Sequence, residues 1–233
     1  MSFKSTIAHL LNDLAELVHR PWVEGYVINS GVDHGLSQTY YGERLVELPL
    51  LFRWIRTAPA RVLDVGCSES ITPIQLAMLD YRVTGVDIMN YRYTHKNFTF
   101  FRGSLLEYKP SEKFDIVIDI SAIEHFGLGA YRNAKLDADA DKRAVKKIEE
   151  MLAHNGQFIF SAPYGVHGVV NNFERIYDWK DVTTLLQGFR IKEKVFYEVN
   201  AHSQIRKITQ TEASRIKYDY QRYGVIVINA ERT

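Results

Sequence analysis

The sequence is poor in several features that mark specialised chains. It carries one cysteine, Cys67, in 233 residues, which excludes an intrachain disulfide framework and points to a reducing, cytoplasmic setting. No apolar run approaches the roughly 20 residues that cross a bilayer as a helix. The opening segment MSFKSTIAHLLNDLAEL places acids among its apolar residues instead of building a signal-peptide core. Excess charge is missing too: 29 Lys and Arg oppose 28 Asp and Glu, for a formal net charge of +1. That balance supplies no general field for a polyanion, so no strong nucleic-acid signal exists. Internal repeats, low-complexity tracts and linker-like stretches are also lacking. What remains is an ordinary globular composition, 46% hydrophobic and 24% charged, long enough for a single α/β domain with a substantial core.

Within that chain, residues 4–19 place Ile7, Leu10, Leu11, Leu14, Leu17 and Val18 at helical spacing before Pro21, which predicts an amphipathic helix. Residues 1–41 are therefore read as a helix and cap or lid segment, and 42–233 as the main domain. The helix's apolar stripe has three readings: packing on the core, a lid over a site, or a homodimer contact. The stretch 42–57 is helical in pattern, with Pro49 expected to start or kink a turn. Short, nearly continuous apolar runs follow at 60–65, 82–88, 98–102, 114–120 and 157–161, as strands covered on both faces require. A helix is predicted over 142–154, with Asp141 as its N-cap and Asn155-Gly156 as its stop. After a further helix near 178–187 come strands at 189–199 and 224–230, separated by 24 residues expected to form an inserted helix or functional loop. The alternation predicts a Rossmann-like, doubly wound, mostly parallel sheet of about seven strands. Helices cover both faces, the last strand is antiparallel, and ligands lie at the strands' carboxyl ends.

RVLDVGCSES, residues 61–70, opens like a nucleotide-binding turn. A dinucleotide loop needs GxGxxG, yet counting from Gly66 the later glycine positions hold Ser68 and Ile71. A phosphate-binding GK[ST] is absent. Glu69 suits the start of a helix but repels a phosphate there. Nevertheless Asp87 ends the second strand, 21 positions after Gly66, where a carboxylate accepts ribose hydroxyls. Ribose without phosphate, beside Asp64 and Glu69, points to S-adenosylmethionine (SAM), an adenosine carrying a sulfonium and an amino acid.

VLDVGCSES, VTGVDI, FFRGSLLEY, FDIVIDISAIEHFG and GQFIFSAPYG, in that order over residues 60–165, resemble the motifs of class I SAM-dependent methyltransferases. Ser68 and Ser70 stand where two family glycines are usual. The resemblance implies cofactor contacts from Asp64, Gly66, Cys67 and Ser68, from Asp87 and Ile88, from Ser104 and Leu105, and from Ser121. The run from SAIEHFGLGAYRN to FERIY further resembles a branch of bacterial methyltransferase-like proteins, some of them found with polysaccharide-synthesis functions.

Methyl transfer to a hydroxyl needs in-line alignment and a base. Candidates therefore lie after strands four and five. His125 and His167 are the candidate catalytic residues, each with a plain structural alternative as an anchored or solvated loop histidine. Glu124, Tyr131, Tyr164 and Arg175 are candidates for binding the acceptor. His34 could reach over the site from the first segment. Asp137, Asp139 and Asp141 alternate as in a calcium loop, but Lys142 and Ile148 occupy the positions of its glycine and glutamate. A helix-starting acidic loop is expected, and no metal. Cys67 reads as a packing residue. The expected function is methylation of a small molecule, with a glycan or glycoside hydroxyl as acceptor. An N-methyltransferase for an amine or RNA base and a non-catalytic SAM-binding scaffold remain alternatives.

Overall fold

The computed structural model describes residues 42–68, 70–129, 136–200, 204–219 and 221–233. The expected amphipathic helix, the cap segment, His34, Glu69 and Tyr131 lie outside the described residues. Among those described, ten strands and five α-helices follow one another. They are α1 (Arg44–Trp54), β1 (Arg61–Val65), α2 (Thr72–Met78), β2 (Arg82–Asp87), β3 (Phe98–Arg102) and β4 (Phe114–Ile120). After a 3-10 turn at Ile123–His125 come α3 (Ala140–Met151), β5 (Leu152–Pro163), β6 (Gly168–Val170), β7 (Glu174–Ile176) and α4 (Trp179–Leu185). The chain closes with β8 (Phe189–Asn200), β9 (Ile205–Ile208), α5 (Gln210–Ala213) and β10 (Arg222–Arg232).

Eight strands form one sheet in the order β3-β2-β1-β4-β5-β10-β8-β9, and β6 pairs with β7 in a separate hairpin. The first five run parallel to one another. β10 runs antiparallel to both β5 and β8, and β9 antiparallel to β8. The chain leaves β1 for β2 and β3 on one side, then returns to β4 on the other. The carboxyl ends of β1 and β4 therefore frame the switch point where open α/β sheets hold ligands. Alternation along the strands feeds two cores. Val62, Ile116 and Ile118 pack with Leu51, Trp54 and Leu76 from α1 and α2. Leu63, Val65 and Val117 pack with Val145, Ile148 and Val182 from α3 and α4. Ile116, Val117 and Ile118 are fully buried, each contributing about 1.5–3 kcal/mol by removal from water.

Several expectations need correction. Pro49 does not start α1, which runs through it from Arg44 to Trp54. Asp141 is not the N-cap of α3; Asp139 holds that position and Asp141 is buried in the first turn. Asn155-Gly156 does not stop the helix. α3 ends at Met151, and Leu152 already pairs with Phe114. Asn155, at a φ of 57°, lies in an irregular stretch of β5, because the next pair on β4 joins Ile116 to Gln157. The connection between β8 and β10 contains an added edge strand, β9, as well as a short helix. The sheet thus has eight strands, and the last one lies inside it.

Candidate functional site

The turn after β1 is built around Gly66. Its φ of +72° belongs to the left-handed region, and a Cβ there would lie 2.3 Å from Cβ of Ala122. The loops after β1 and β4 therefore touch, and only glycine fits between them. Cys67 points into the sheet, where a Cβ on Gly85 would come within 2.6 Å of its sulfur. Burial, followed by Asp64 and Asp87, pushes its thiol well up, so it packs and does not attack. Neither Ser68 nor Ser70 has a positive φ, and serine in place of glycine carries no backbone strain at these positions. Ser70 Oγ accepts from Thr72 N at 3.0 Å and donates to Thr72 Oγ1 at 2.7 Å, at the start of α2. Ser68 Oγ is buried without a hydrogen-bond partner.

Asp87 closes β2 with its carboxylate held at both oxygens. Ser68 N donates to Oδ2 at 2.8 Å and Met89 N donates to Oδ1 at 2.7 Å. Each oxygen retains an acceptor site, so the carboxylate is fixed in direction and still able to take hydroxyls. Ile88 is exposed beside it. After β3, Ser104 Oγ accepts from Leu106 N at 3.2 Å, while the side chain of Leu105 is buried in the core.

Beneath this rim lies an unusual concentration of buried acids: Asp64 from β1, Asp119 from β4, Glu124 from the 3-10 turn and Glu47 from α1. Neither oxygen of Asp119 has a partner, nor does Oε2 of Glu124. Burial, reinforced by Asp87 at Asp64, by Asp64 at Asp119 and by Asp119 at Glu124, raises all three pKa values well above the carboxylate range. Arg44 is the cation that opposes this. Burial disfavours its charge, but Glu47 and Glu43 outweigh that and hold its pKa above the usual value. Arg44 donates to Glu47 Oε2, and Ser121 Oγ donates to Glu47 Oε1 at 2.7 Å. Ser121 itself has a φ of 50°, a strained conformation of the kind that gathers at functional sites. Its N–H donates to Ser161 Oγ at 3.1 Å.

On the β4 and β5 side, His125 Nδ1 lies 2.6 Å from the carbonyl oxygen of Phe173, whose ring also packs on the imidazole at 4.6 Å between centroids. A carbonyl only accepts, so Nδ1 carries the proton and Nε2 is the basic nitrogen, 3.9 Å from Glu124 Oε1. Arg175, expected among the acceptor contacts, fastens neighbouring segments. Its guanidinium donates to the carbonyls of Phe126 at 2.6 Å and Ala138 at 3.1 Å, and meets Asp141 at 3.5 Å. Tyr177 also donates to Asp141, at 3.1 Å. The aspartates of the calcium-like run go to separate partners: Asp137 to Arg143, Asp139 to Lys142, Asp141 to Arg175 and Tyr177. No cluster able to hold a metal occurs among the described residues. His167 and Tyr164 lie together on a different cleft, with His167 Nδ1 2.7 Å from Asp181 Oδ2.

The structure thus brings Asp64, Gly66, Cys67, Ser68, Asp87 and Ser121 to one end of the sheet, with Glu124 and His125 following β4. Sequence reasoning missed Arg44 and Glu47. Their signal is a charged i, i+3 pair on the helix that also carries Leu48, Leu51 and Trp54 into the core.

No curated protein matches the sequence significantly. Solved structures match the fold at low identity. The N-methyltransferase NodS from Bradyrhizobium japonicum WM9, in complex with S-adenosyl-L-homocysteine, is 15% identical with a TM-score of 0.56 over 82% of this chain and 87% of that one. The 1,6-didemethyltoxoflavin-N1-methyltransferase of Burkholderia thailandensis is 17% identical with a TM-score of 0.54, covering 100% of this chain and 91% of that one. The cyclase SpnF is 14% identical with a TM-score of 0.58, covering 85% and 88%. These likenesses establish the Rossmann-like methyltransferase fold. No helix among the described residues is long and apolar enough to cross a membrane. Residues 86–229 match the model of the family described as "Caenorhabditis protein of unknown function, DUF268". That description gives no tie to a bacterial polysaccharide branch. As the match spans more than half of the sequence, the chain belongs to the DUF268 family.

Proposed function

We propose that the protein is a SAM-dependent methyltransferase acting on a small molecule, with a sugar hydroxyl as acceptor. The observation that carries the cofactor reading is Asp87, fixed by Ser68 N and Met89 N at the carboxyl end of β2. The surrounding residues fit the cofactor. Gly66 leaves the space a side chain would fill, Ser68 Oγ lacks a partner, and Asp119 and Glu124 keep unpartnered oxygens beneath the turn. Such a setting, with Asp87 as the held carboxylate at its rim, favours a ligand that brings hydroxyls. The SAH-bound NodS neighbour agrees with this choice. When bound, SAM supplies an electrophilic methyl group on a sulfonium.

The chain's own residues would do the rest. Asp87 accepts ribose hydroxyls, its carboxylate held in direction by Ser68 N and Met89 N. Ser121, held between Glu47 and Ser161, presents its strained backbone at the switch point. His125, with its proton on Nδ1, offers Nε2 to the hydroxyl proton of an acceptor. A base is what a hydroxyl acceptor requires and a neutral amine does not, which is the reason for preferring O-methylation. The N-methyltransferase neighbours support the second reading, an amine acceptor. Isothermal titration with SAM and S-adenosylhomocysteine tests the cofactor claim, and absence of saturable binding at high micromolar concentration rejects it. Radiolabelled SAM incubated with glycosides and amines separates the two acceptor readings. Binding without transfer to either would favour a scaffold.

A further inference from the structure

The imidazole of His125 and the main chain on either side of it are held by residues of one short hairpin. β6 and β7 pair through Gly168 and Ile176, Val169 and Arg175, and Val170 and Glu174. The turn between them takes Asn171 and Asn172 at φ of 50° and 53°. Two successive left-handed residues make the tight hairpin turn that asparagine accepts, and Phe173 N closes it by donating to Val170 O at 2.8 Å. Phe173 and Arg175 then stand two positions apart at the start of β7. In extended chain that spacing sends both side chains to the same side, where the loop after β4 lies.

The two residues act on different parts of that loop. Phe173 takes the imidazole: its carbonyl oxygen lies 2.6 Å from Nδ1, and its ring packs on the imidazole at 4.6 Å between centroids. Arg175 takes the main chain on both sides of the histidine, because its Nη1 donates to the carbonyls of Glu124 at 3.2 Å and of Phe126 at 2.6 Å. His125 N itself donates to Ala122 O at 3.1 Å. The backbone of residues 124–126 is thus fixed while the ring is aimed. Nη2 of the same guanidinium donates to Ala138 O at 3.1 Å, and Nε faces the carboxylate of Asp141 at 3.5 Å. A lysine here would keep a charge for Asp141 but cannot fork to separate segments as the planar guanidinium does.

We infer that the β6–β7 hairpin decides which nitrogen of His125 is basic, with Arg175 as its positioning residue. An imidazole in water carries its proton on either nitrogen and favours Nε2. A carbonyl held against Nδ1 reverses that preference, so the proton stays on Nδ1 and Nε2 becomes the nitrogen that takes protons. Glu124 Oε1 lies 3.9 Å from Nε2, beyond hydrogen-bond length, and does not draw the ring proton the other way. The inference rests on the proposed function only for the use of a basic Nε2, the removal of an acceptor's hydroxyl proton; the tautomer itself requires neither cofactor nor acceptor.

The test is long-range proton–nitrogen NMR correlation on the ligand-free chain labelled with 15N-histidine, at about pH 8, above the usual histidine range. His125→Gln identifies the His125 signal among the eight histidines. That signal should show the proton on Nδ1. Arg175→Lys should move the tautomer ratio roughly 3- to 10-fold toward Nε2, one hydrogen bond's worth. A glycine inserted between Phe173 and Glu174 keeps Arg175 and turns the Phe173 carbonyl out of register; it should move the ratio likewise, and it carries the comparison if Arg175→Lys folds poorly. Phe173→Leu retains the carbonyl and should leave the ratio within about twofold. A hairpin with only a structural role would lower the melting temperature of the first two variants without moving the ratio. That result, or a proton on Nε2 in the unaltered chain, overturns the inference. Radiolabelled methyl transfer is read separately: a ratio that moves as expected in a chain that transfers no methyl group supports the hairpin's hold on His125 and removes the base from the proposed function.

Discussion

Asp87 shows how much one side chain organises here. Its carboxylate accepts from two main-chain amides on different loops, so Asp87→Ala removes both the ribose acceptor and the anchor of the β1 turn. S-adenosylhomocysteine affinity is expected to fall about 10- to 100-fold, the worth of hydrogen bonds to a charged group; calorimetry showing unchanged affinity would remove Asp87 from the site. A second residue-scale expectation follows from Asp64, Asp119 and Glu124, whose pKa values burial raises well above the carboxylate range. Below about pH 4 folded and unfolded states both hold these protons, and the groups impose no pH dependence. Above it the unfolded chain releases them first. The native state then binds more protons, and each group takes up to about 1.4 kcal/mol per pH unit from stability until its folded pKa is passed. The urea midpoint of the ligand-free protein should therefore fall between pH 5 and pH 8, and Asp119→Asn should flatten that fall; an equally steep fall in the variant would contradict this account. Asp64, Gly66 and Asp87 were legible in the sequence because a strand–turn–helix with an acid after the next strand is a local pattern. Glu47 was not, because its meaning depends on Ser121, 74 positions away.

The β6–β7 hairpin and the start of α3 illustrate the same limit for whole elements. Neither the hairpin nor the N-cap of α3 was read from local residues, because what fastens them together lies elsewhere in the chain. Arg175, in β7, reaches the carbonyls of Phe126 and Ala138 and the carboxylate of Asp141. One guanidinium thus joins three segments. Arg175→Met would leave those acceptors and a buried aspartate without their cation, costing about 3–5 kcal/mol. Hydrogen exchange should quicken in the hairpin and in the first turn of α3, ahead of the sheet; uniform protection would show that the staple is dispensable. The misassigned N-cap has the same origin. Asp141 has the residue type and the position of a cap, and only the buried pair formed by Tyr177 and Arg175 draws it inward. By contrast, α4 was placed closely because Asp178 and Asp181 form a capping box within a single turn. Helices whose ends are decided by their own residues can be read from sequence, whereas those decided by distant partners cannot.

Across the whole molecule, the five parallel strands were foreseeable from their apolar runs, and the position of the last strand was not. β10 pairs along most of its length with β5 on one side and β8 on the other. Residues 189–199 and 224–230 announced two strands, but nothing local fixes which would be central. A chain cut before Arg222 would expose edges of β5 and β8 together with the apolar side chains that Val225, Ile226, Val227 and Ile228 cover. It should show no cooperative urea transition by circular dichroism; a sharp transition with native-like signal would mean that the rest of the sheet stands alone. The arrangement also bears on birth of the protein at the ribosome. Synthesis runs from β1 toward β10, yet the strand that joins the parallel half to the edge is made after both of the strands it pairs with. The nascent chain must hold its two unsatisfied strand edges apart from other chains until residues 222–232 have cleared the exit tunnel, so chaperone engagement during translation should be strongest in that interval.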